Sequence, residues 1–149
     1  MSMVERMVVG FAFTVDRTSV ILIRKNRPEW QKGKLNGVGG HIEQGEHPNK
    51  AMEREFEEET GVHVKASRWE RVVMMEGNDW HVTFFKAILT NLDRHHIQTM
   101  TDEAVVEVQC DIPGGMIQNL SWLLPLCLDE TGVQRPIQVR DLGVKNEGR

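Results

Sequence analysis

The sequence predicts a single α+β domain, and three observations carry that expectation. Short β-branched and apolar runs recur between turn-forming residues, one long segment of strong helix formers interrupts them, and 149 residues at 40% hydrophobic content suffice for one core. No repeat or low-complexity stretch divides the chain, so residues 1–149 are expected to form one domain, with a frayed tail from about Val144 onward.

The elements follow in order. Met7 to Val15 and Ser19 to Arg24 are apolar and β-branched, and Asp16-Arg17-Thr18 between them has hairpin-turn chemistry. Lys25 to Gly40 mixes Lys, Asn, Pro, Gly and Trp without periodicity and reads as a long loop, a length that is often functional. Pro48 suits the first turn of a helix, good helix formers run from Lys50 to Glu59, and Gly61 supplies a left-handed stop. Val62 to Met75 and Trp80 to Leu89 read as a second strand pair around the turn Gly77-Asn78-Asp79. Ala104 to Cys110 is a further strand, and Asn119 to Leu128 a helix with Asn119 as its cap and Pro125 inside it.

The formal net charge of −4 argues against a nucleic-acid binder with a general basic surface, which needs clustered cations to displace phosphate counterions. Cys110 and Cys127 are too few for a disulfide scaffold or a paired-ligand zinc site and read as reduced core residues. The apolar stretch Met7 to Val15 is too short to span a bilayer and lacks a signal-peptide ending, so a cytoplasmic protein without membrane partners is expected. The charge is unevenly spread. Glu43 to Glu59 holds seven acids and two bases, whereas Arg24 to Lys34 holds five bases and one acid.

At about 100° per residue, Glu55, Glu58 and Glu59 share one arc of the Lys50–Glu59 helix, beside an apolar stripe of Met52 and Phe56, while Glu57 points away. Like charges at this spacing repel, and a divalent cation would relieve them. An ordinary charged helix surface is the alternative for an isolated Glu run. Here, however, Gly40, five residues, Glu46, seven residues and Arg54-Glu55-Phe56-Glu57-Glu58-Glu59-Thr60-Gly61-Val62 match G-x5-E-x7-R-E-U-x-E-E-x-G-U, with U apolar, at every specified position. These 23 residues resemble the Nudix box, and the chain is similar to the Nudix hydrolases.

The resemblance implies an α/β/α sandwich around a mixed sheet and a Mg2+ site, with Mn2+ as substitute, on Glu55, Glu58, Glu59 and the main-chain carbonyl of Gly39. Hard cations take oxygen ligands, in keeping with that set. Arg54 and Glu46 are also box positions; an arginine there can orient the carboxylates by bidentate hydrogen bonds and offset their repulsion. Family chemistry is water attack on a phosphorus of a diphosphate, which needs a proton acceptor. Glu55 is the first candidate, and Glu103, in Thr101-Asp102-Glu103, is the later-loop candidate, with a surface turn acid as its alternative.

Leu35-Asn36-Gly37-Val38-Gly39-Gly40 resembles the W-N-G-x-G-G segment of the members that remove oxidised purine nucleotides. Asn36 there either pairs with a purine edge or serves a glycine-rich turn. Arg24 and Lys34 bound a basic loop that can attract a triphosphate, Trp30 either stacks on a base or anchors the loop, and His41 is a candidate phosphate contact. The chain has no Tyr, and no Pro lies between Pro48 and Pro113, absences that disfavour the dinucleoside polyphosphate and ADP-ribose branches. The leading expectation is a nucleoside triphosphate pyrophosphohydrolase acting on a small nucleotide; a nucleotide-sugar or ADP-ribose pyrophosphatase, a non-catalytic nucleotide sensor and a homodimeric state stay open.

Overall fold

The computed structural model describes residues 4–111, 115–132 and 134–141. Strands β1 (Glu5–Phe13), β2 (Ser19–Arg24), β3 (Leu35–Asn36) and β4 (Val38–His41) precede helix α1 (Pro48–Thr60). Strands β5 (Glu70–Glu76) and β6 (Trp80–Ile88), helix α2 (Asn91–His96), strand β7 (Val105–Gln109), helix α3 (Leu120–Leu128) and strand β8 (Ile137–Arg140) follow. The sheet runs β3-β2-β1-β6-β5-β8, with β4 also on β1 and β7 also on β2. It is mixed: β1 pairs in parallel with β6 from Glu5↔Trp80 to Phe13↔Ile88, β5 with β8 likewise, and the other pairs are antiparallel.

Alternation along the strands feeds two cores, because successive side chains leave a strand on opposite faces. Val8, Ala12, Ile21, Ile23, Phe85 and Ala87 pack under α1 with its Met52 and Phe56, and with Trp69. Phe11, Phe13, Val20, Leu22, Val73 and Phe84 pack on the other face with Leu120, Leu123, Leu124 and Cys127 of α3. The sheet is thus covered on both faces, the α/β/α arrangement that the resemblance implies.

Two local expectations hold, the first turn and the bounds of the α1 helix. In the first turn Thr14 Oγ1 donates to Asp16 Oδ1 at 2.7 Å and the Thr18 amide to the same oxygen at 3.1 Å. Helix α1 begins at Pro48, where the Asn49 amide donates to His47 Nδ1, and stops at Gly61 with φ 76°. Both thiols are free; Cys127 is buried, which pushes its thiol pKa up to about 12, and Cys110 is half-buried at the margin of the α3 core. No helix among the described residues is long and apolar enough to cross a membrane.

Others are corrected. The 25–40 segment is not all loop: it contains a 3-10 turn at Glu29–Gln31 and ends in β3 and the start of β4. Strand β3 is only two residues long and β4 holds two glycines in four, so neither shows a period of two; they form on the stretches of β2 and β1 that those strands leave unpaired with each other. The chain passes from β2's edge to β1's edge at Gly37, where an added Cβ would meet Phe11 and Val9 side chains at 2.7 Å. The 62–75 stretch is strand only from Glu70, and Asn119 stands at the N-cap position of α3 without a side-chain cap hydrogen bond. Helix α2 and strand β8 were not foreseen; α2 is a six-residue helix held by a capping box of Thr90 and Asp93. The expected frayed tail lies outside the described residues.

Candidate active site

The site is assembled where β4 meets α1. Gly40 lies opposite Val8, on the face covered by α1, and an added Cβ at Gly40 would fall 2.5–2.7 Å from the carboxylate of Glu55. The bare backbone of β4 therefore lets this carboxylate lie against the strand. Gly39 sits one residue earlier, opposite Val9, with space for no side chain: its Cβ would meet the Val8 carbonyl oxygen at 1.9 Å.

Arg54 joins the box. Its Nε and Nη2 donate to both oxygens of Glu46 at 2.8 and 2.9 Å, Nη1 donates to Glu55 at 2.9 Å and to Glu58 at 3.3 Å, and Nη2 also reaches the His41 carbonyl at 3.1 Å. This bidentate fork holds Glu46 below the ordinary carboxylate range, chiefly through the hydrogen bond from Arg54, and raises the pKa of Arg54 in turn. One guanidinium thus spans the lead-in loop, the end of β4 and two carboxylates of α1.

The three carboxylates differ in surroundings. The Glu55 side chain is 12% exposed and that of Glu58 56% exposed, while Glu59, like Glu55, is partly buried. Burial raises the pKa of Glu55 despite the opposing Arg54, and the neighbouring Glu58 and Glu59 push the same way. Burial also raises Glu59; the hydroxyl of Thr101, donating to Glu59 Oε2 at 2.9 Å, and the charge of Lys25 oppose this, while Glu103 adds to it. Glu103 is 4% exposed and accepts from the Asn26 amide at 2.6 Å and from Lys25 Nζ at 3.3 Å, so it is not a surface turn acid.

Three carboxylates along an open helix face suit a hard divalent cation that retains waters and takes further oxygens from a phosphate. Among the described residues no three His, Cys, Asp or Glu side chains are gathered as they stand into a group that could hold a metal ion, so Glu55, Glu58 and Glu59 line the helix face without converging on one point. The space at Gly40, kept free of a Cβ, fits this donor set because it admits the Glu55 carboxylate beside the β4 backbone.

The substrate-side residues lie along the neighbouring edge. Asn36 is buried in β3, its Nδ2 donating to Gln31 Oε1 at 3.0 Å while its Oδ1 accepts from the Gly37 amide at 2.7 Å. Arg24 ends β2 and donates to the Gly33 carbonyl at 2.8 Å, bracing the basic excursion. Trp30 is 62% exposed in the 3-10 turn, Lys34 is exposed next to β3, and His41 is exposed at the end of β4. Thr101 and Gln31 touch candidate site residues beyond those expected from the sequence, and Lys25, one of the bases expected to attract a triphosphate, pairs with Glu103. Only the basic run around Lys25 offered a signal, since Thr101 reaches Glu59 across 42 residues.

Comparison with known proteins bears on the family and the fold. No curated protein is significantly similar to the chain. Among solved structures, a NUDIX hydrolase from Nitrosomonas europaea superposes with a TM-score of 0.69 at 16% identity, over 95% of this chain and 81% of that one. A MutT NUDIX hydrolase from Burkholderia pseudomallei gives 0.64 at 20% identity, over 81% and 97%. A MutT described for Aliivibrio salmonicida and Vibrio cholerae gives 0.60 at 22% identity, over 71% and 80%. These likenesses concern the fold. The model of the NUDIX domain matches residues 4–122, which include the whole box and strands β1 to β7, and the chain therefore belongs to the NUDIX domain family.

Proposed function

We propose that the protein is a Mg2+-dependent pyrophosphohydrolase of nucleoside triphosphates, with oxidised purine deoxynucleotides as the favoured substrates and a monophosphate and pyrophosphate as products. The observation that carries this is the open row of Glu55, Glu58 and Glu59 on α1, backed by Arg54 and lying next to a basic excursion from Arg24 to Lys34. Glu58, Glu59 and the Gly39 carbonyl would hold the ion with Glu55; Mn2+ would serve in its place. When bound, the ion neutralises phosphate oxygens and lowers the pKa of a water. Arg54 keeps Glu55 and Glu58 oriented, and Glu55, whose burial raises its proton affinity, accepts the proton of the attacking water; Glu103 is the second candidate. Arg24 and Lys34 attract the phosphates, Asn36 reads a purine edge if it exchanges Gln31 for the base, Trp30 stacks on that base, and His41 touches a phosphate. The free thiols Cys110 and Cys127 suit a reducing, cytoplasmic setting.

The test is product analysis by ion-exchange chromatography after incubation with Mg2+ and a panel of ordinary and oxidised deoxynucleoside triphosphates, ADP-ribose, UDP-glucose and diadenosine polyphosphates. Pyrophosphate release from a triphosphate is expected, with Glu58→Gln and Glu59→Gln strongly impaired. Cleavage confined to ADP-ribose or UDP-glucose would move the substrate class to the diphosphate-linked branch, and tight binding of one compound without turnover would make the protein a sensor.

A further inference from the structure

The turn at residues 101–103 has no place in the reading above beyond Glu103, yet it touches both halves of the site. On one side, the Gln98 and Met100 amides donate to the last carbonyls of α1, Thr60 at 3.0 Å and Glu59 at 3.2 Å, and Thr101 Oγ1 donates to Glu59 Oε2 at 2.9 Å. On the other, Asn26 Nδ2 donates to the Asp102 carbonyl at 2.7 Å, Arg27 pairs with Asp102 at 2.6 Å, and the buried Glu103 carboxylate takes the Asn26 amide and the Lys25 ammonium. The Glu103 amide in turn donates to Thr101 Oγ1 at 3.2 Å, which orients that hydroxyl so that its proton points at Glu59.

From this bridge we infer that Thr101 is a positioning residue for the metal site: its hydroxyl holds the Glu59 carboxylate in place, and the 101–103 turn sets that hydroxyl by the position of the basic excursion that begins at Lys25. Glutamate is a long side chain that loses rotamer freedom when it becomes a ligand, and a fixed donor removes part of that loss in advance. Hydrogen-bond partners of metal ligands typically change metal affinity by about 10- to 100-fold when removed. Thr101 is partnered from behind by the turn itself, so it acts through Glu59 and not by contact with substrate. The inference rests on the proposed reading that Glu59 is a ligand.

Mn2+ affinity of the full-length protein, measured by the electron paramagnetic resonance signal of free Mn2+ without nucleotide, tests it. Thr101→Val is expected to weaken Mn2+ about 10-fold, Thr101→Ser to stay within about twofold of wild type, and Glu59→Gln to weaken it as well. In the Glu59→Gln background, Thr101→Val should add nothing, which a merely structural role would not produce. Should Thr101→Val fold poorly, Thr101→Ala takes its place in the same cycle. Wild-type affinity in the folded valine or alanine variant, a serine variant as weak as they are, or losses that add in the double variant would each overturn the role of Thr101. Unchanged Mn2+ affinity in Glu59→Gln would instead overturn the ligand assignment, and this inference with it.

Discussion

Gly40→Ala separates the catalytic geometry of the box from its contribution to folding. Gly40 lies outside the positive-φ region, so alanine meets no backbone strain there. Its Cβ would stand 2.5 Å from Glu55 Oε1, about 0.9 Å inside the 3.4 Å at which ordinary contact begins. The obstructing atoms are the end of a flexible side chain, so Glu55 swings aside by roughly that distance while the sheet stays in place. A displacement near 1 Å at a reacting centre can cost about 100-fold in rate, or about 2.7 kcal/mol of barrier. Stability should change by less than about 1 kcal/mol, because alanine also reduces the freedom of the unfolded chain. The assay pairs kcat for the proposed triphosphate hydrolysis with the thermal midpoint of the metal-free protein. Gly39→Ala is the contrast: its Cβ would strike the backbone oxygen of Val8 at 1.9 Å, so that variant should lose folded protein before it loses chemistry. Undiminished kcat in Gly40→Ala, or a loss of rate matched by a loss of folded protein, would refute the reasoning.

Three further predictions follow from the same geometry. Arg54→Met leaves Glu46 and Glu55 without their shared cation and should lower stability by about 2 kcal/mol, read as a shift of the urea midpoint; an unchanged midpoint would mean that the network contributes little. Phe56→Ala empties a fully buried position whose ring meets Trp69 edge-on at 5.2 Å, and should cost about 3–5 kcal/mol in the same measurement. Burial raises the pKa of Glu59, so ionising it opposes folding; this cost is absent below the ordinary carboxylate value near pH 4.3 and fully present above the raised one. Metal-free Glu59→Gln should therefore melt above wild type at pH 7, by a margin that closes as pH falls toward 4, and a variant that melts lower at pH 7 would contradict the burial argument.

The trade between function and stability is visible in α1. Its buried face, Ala51, Met52, Phe56 and Thr60, secures it to the sheet, and the next residues around the helix are carboxylates that repel one another. Arg54 relieves two of them from one side and Thr101 orients the third from the other, so each neighbour makes tolerable a charge cluster that an isolated helix would not keep.

What could be read from the chain alone was local in sequence. Helix α1, its Pro48 start, its Gly61 stop and the shared arc of Glu55, Glu58 and Glu59 depend on neighbours within a few residues, and so does the turn around Asp16. Strands β1 and β6 were visible for the same reason, since runs of apolar, β-branched and aromatic residues bounded by turn formers need no partner to be seen. Which strands pair, and whether they run parallel, depended on contacts across the fold. Strands β3 and β4 carry almost no propensity of their own and form only because β1 divides one edge between β4 and β2. The burial of Glu103 is likewise non-local, because Lys25 reaches it across 78 residues and no spacing rule links the two. The sequence by itself determined a carboxylate helix suited to a divalent cation, through residues one turn apart. Only the tertiary structure decided which of those carboxylates are buried, which hydroxyl and which cation meet them, and that the basic excursion is tied to the acidic helix, because long-range register alone brings these groups together.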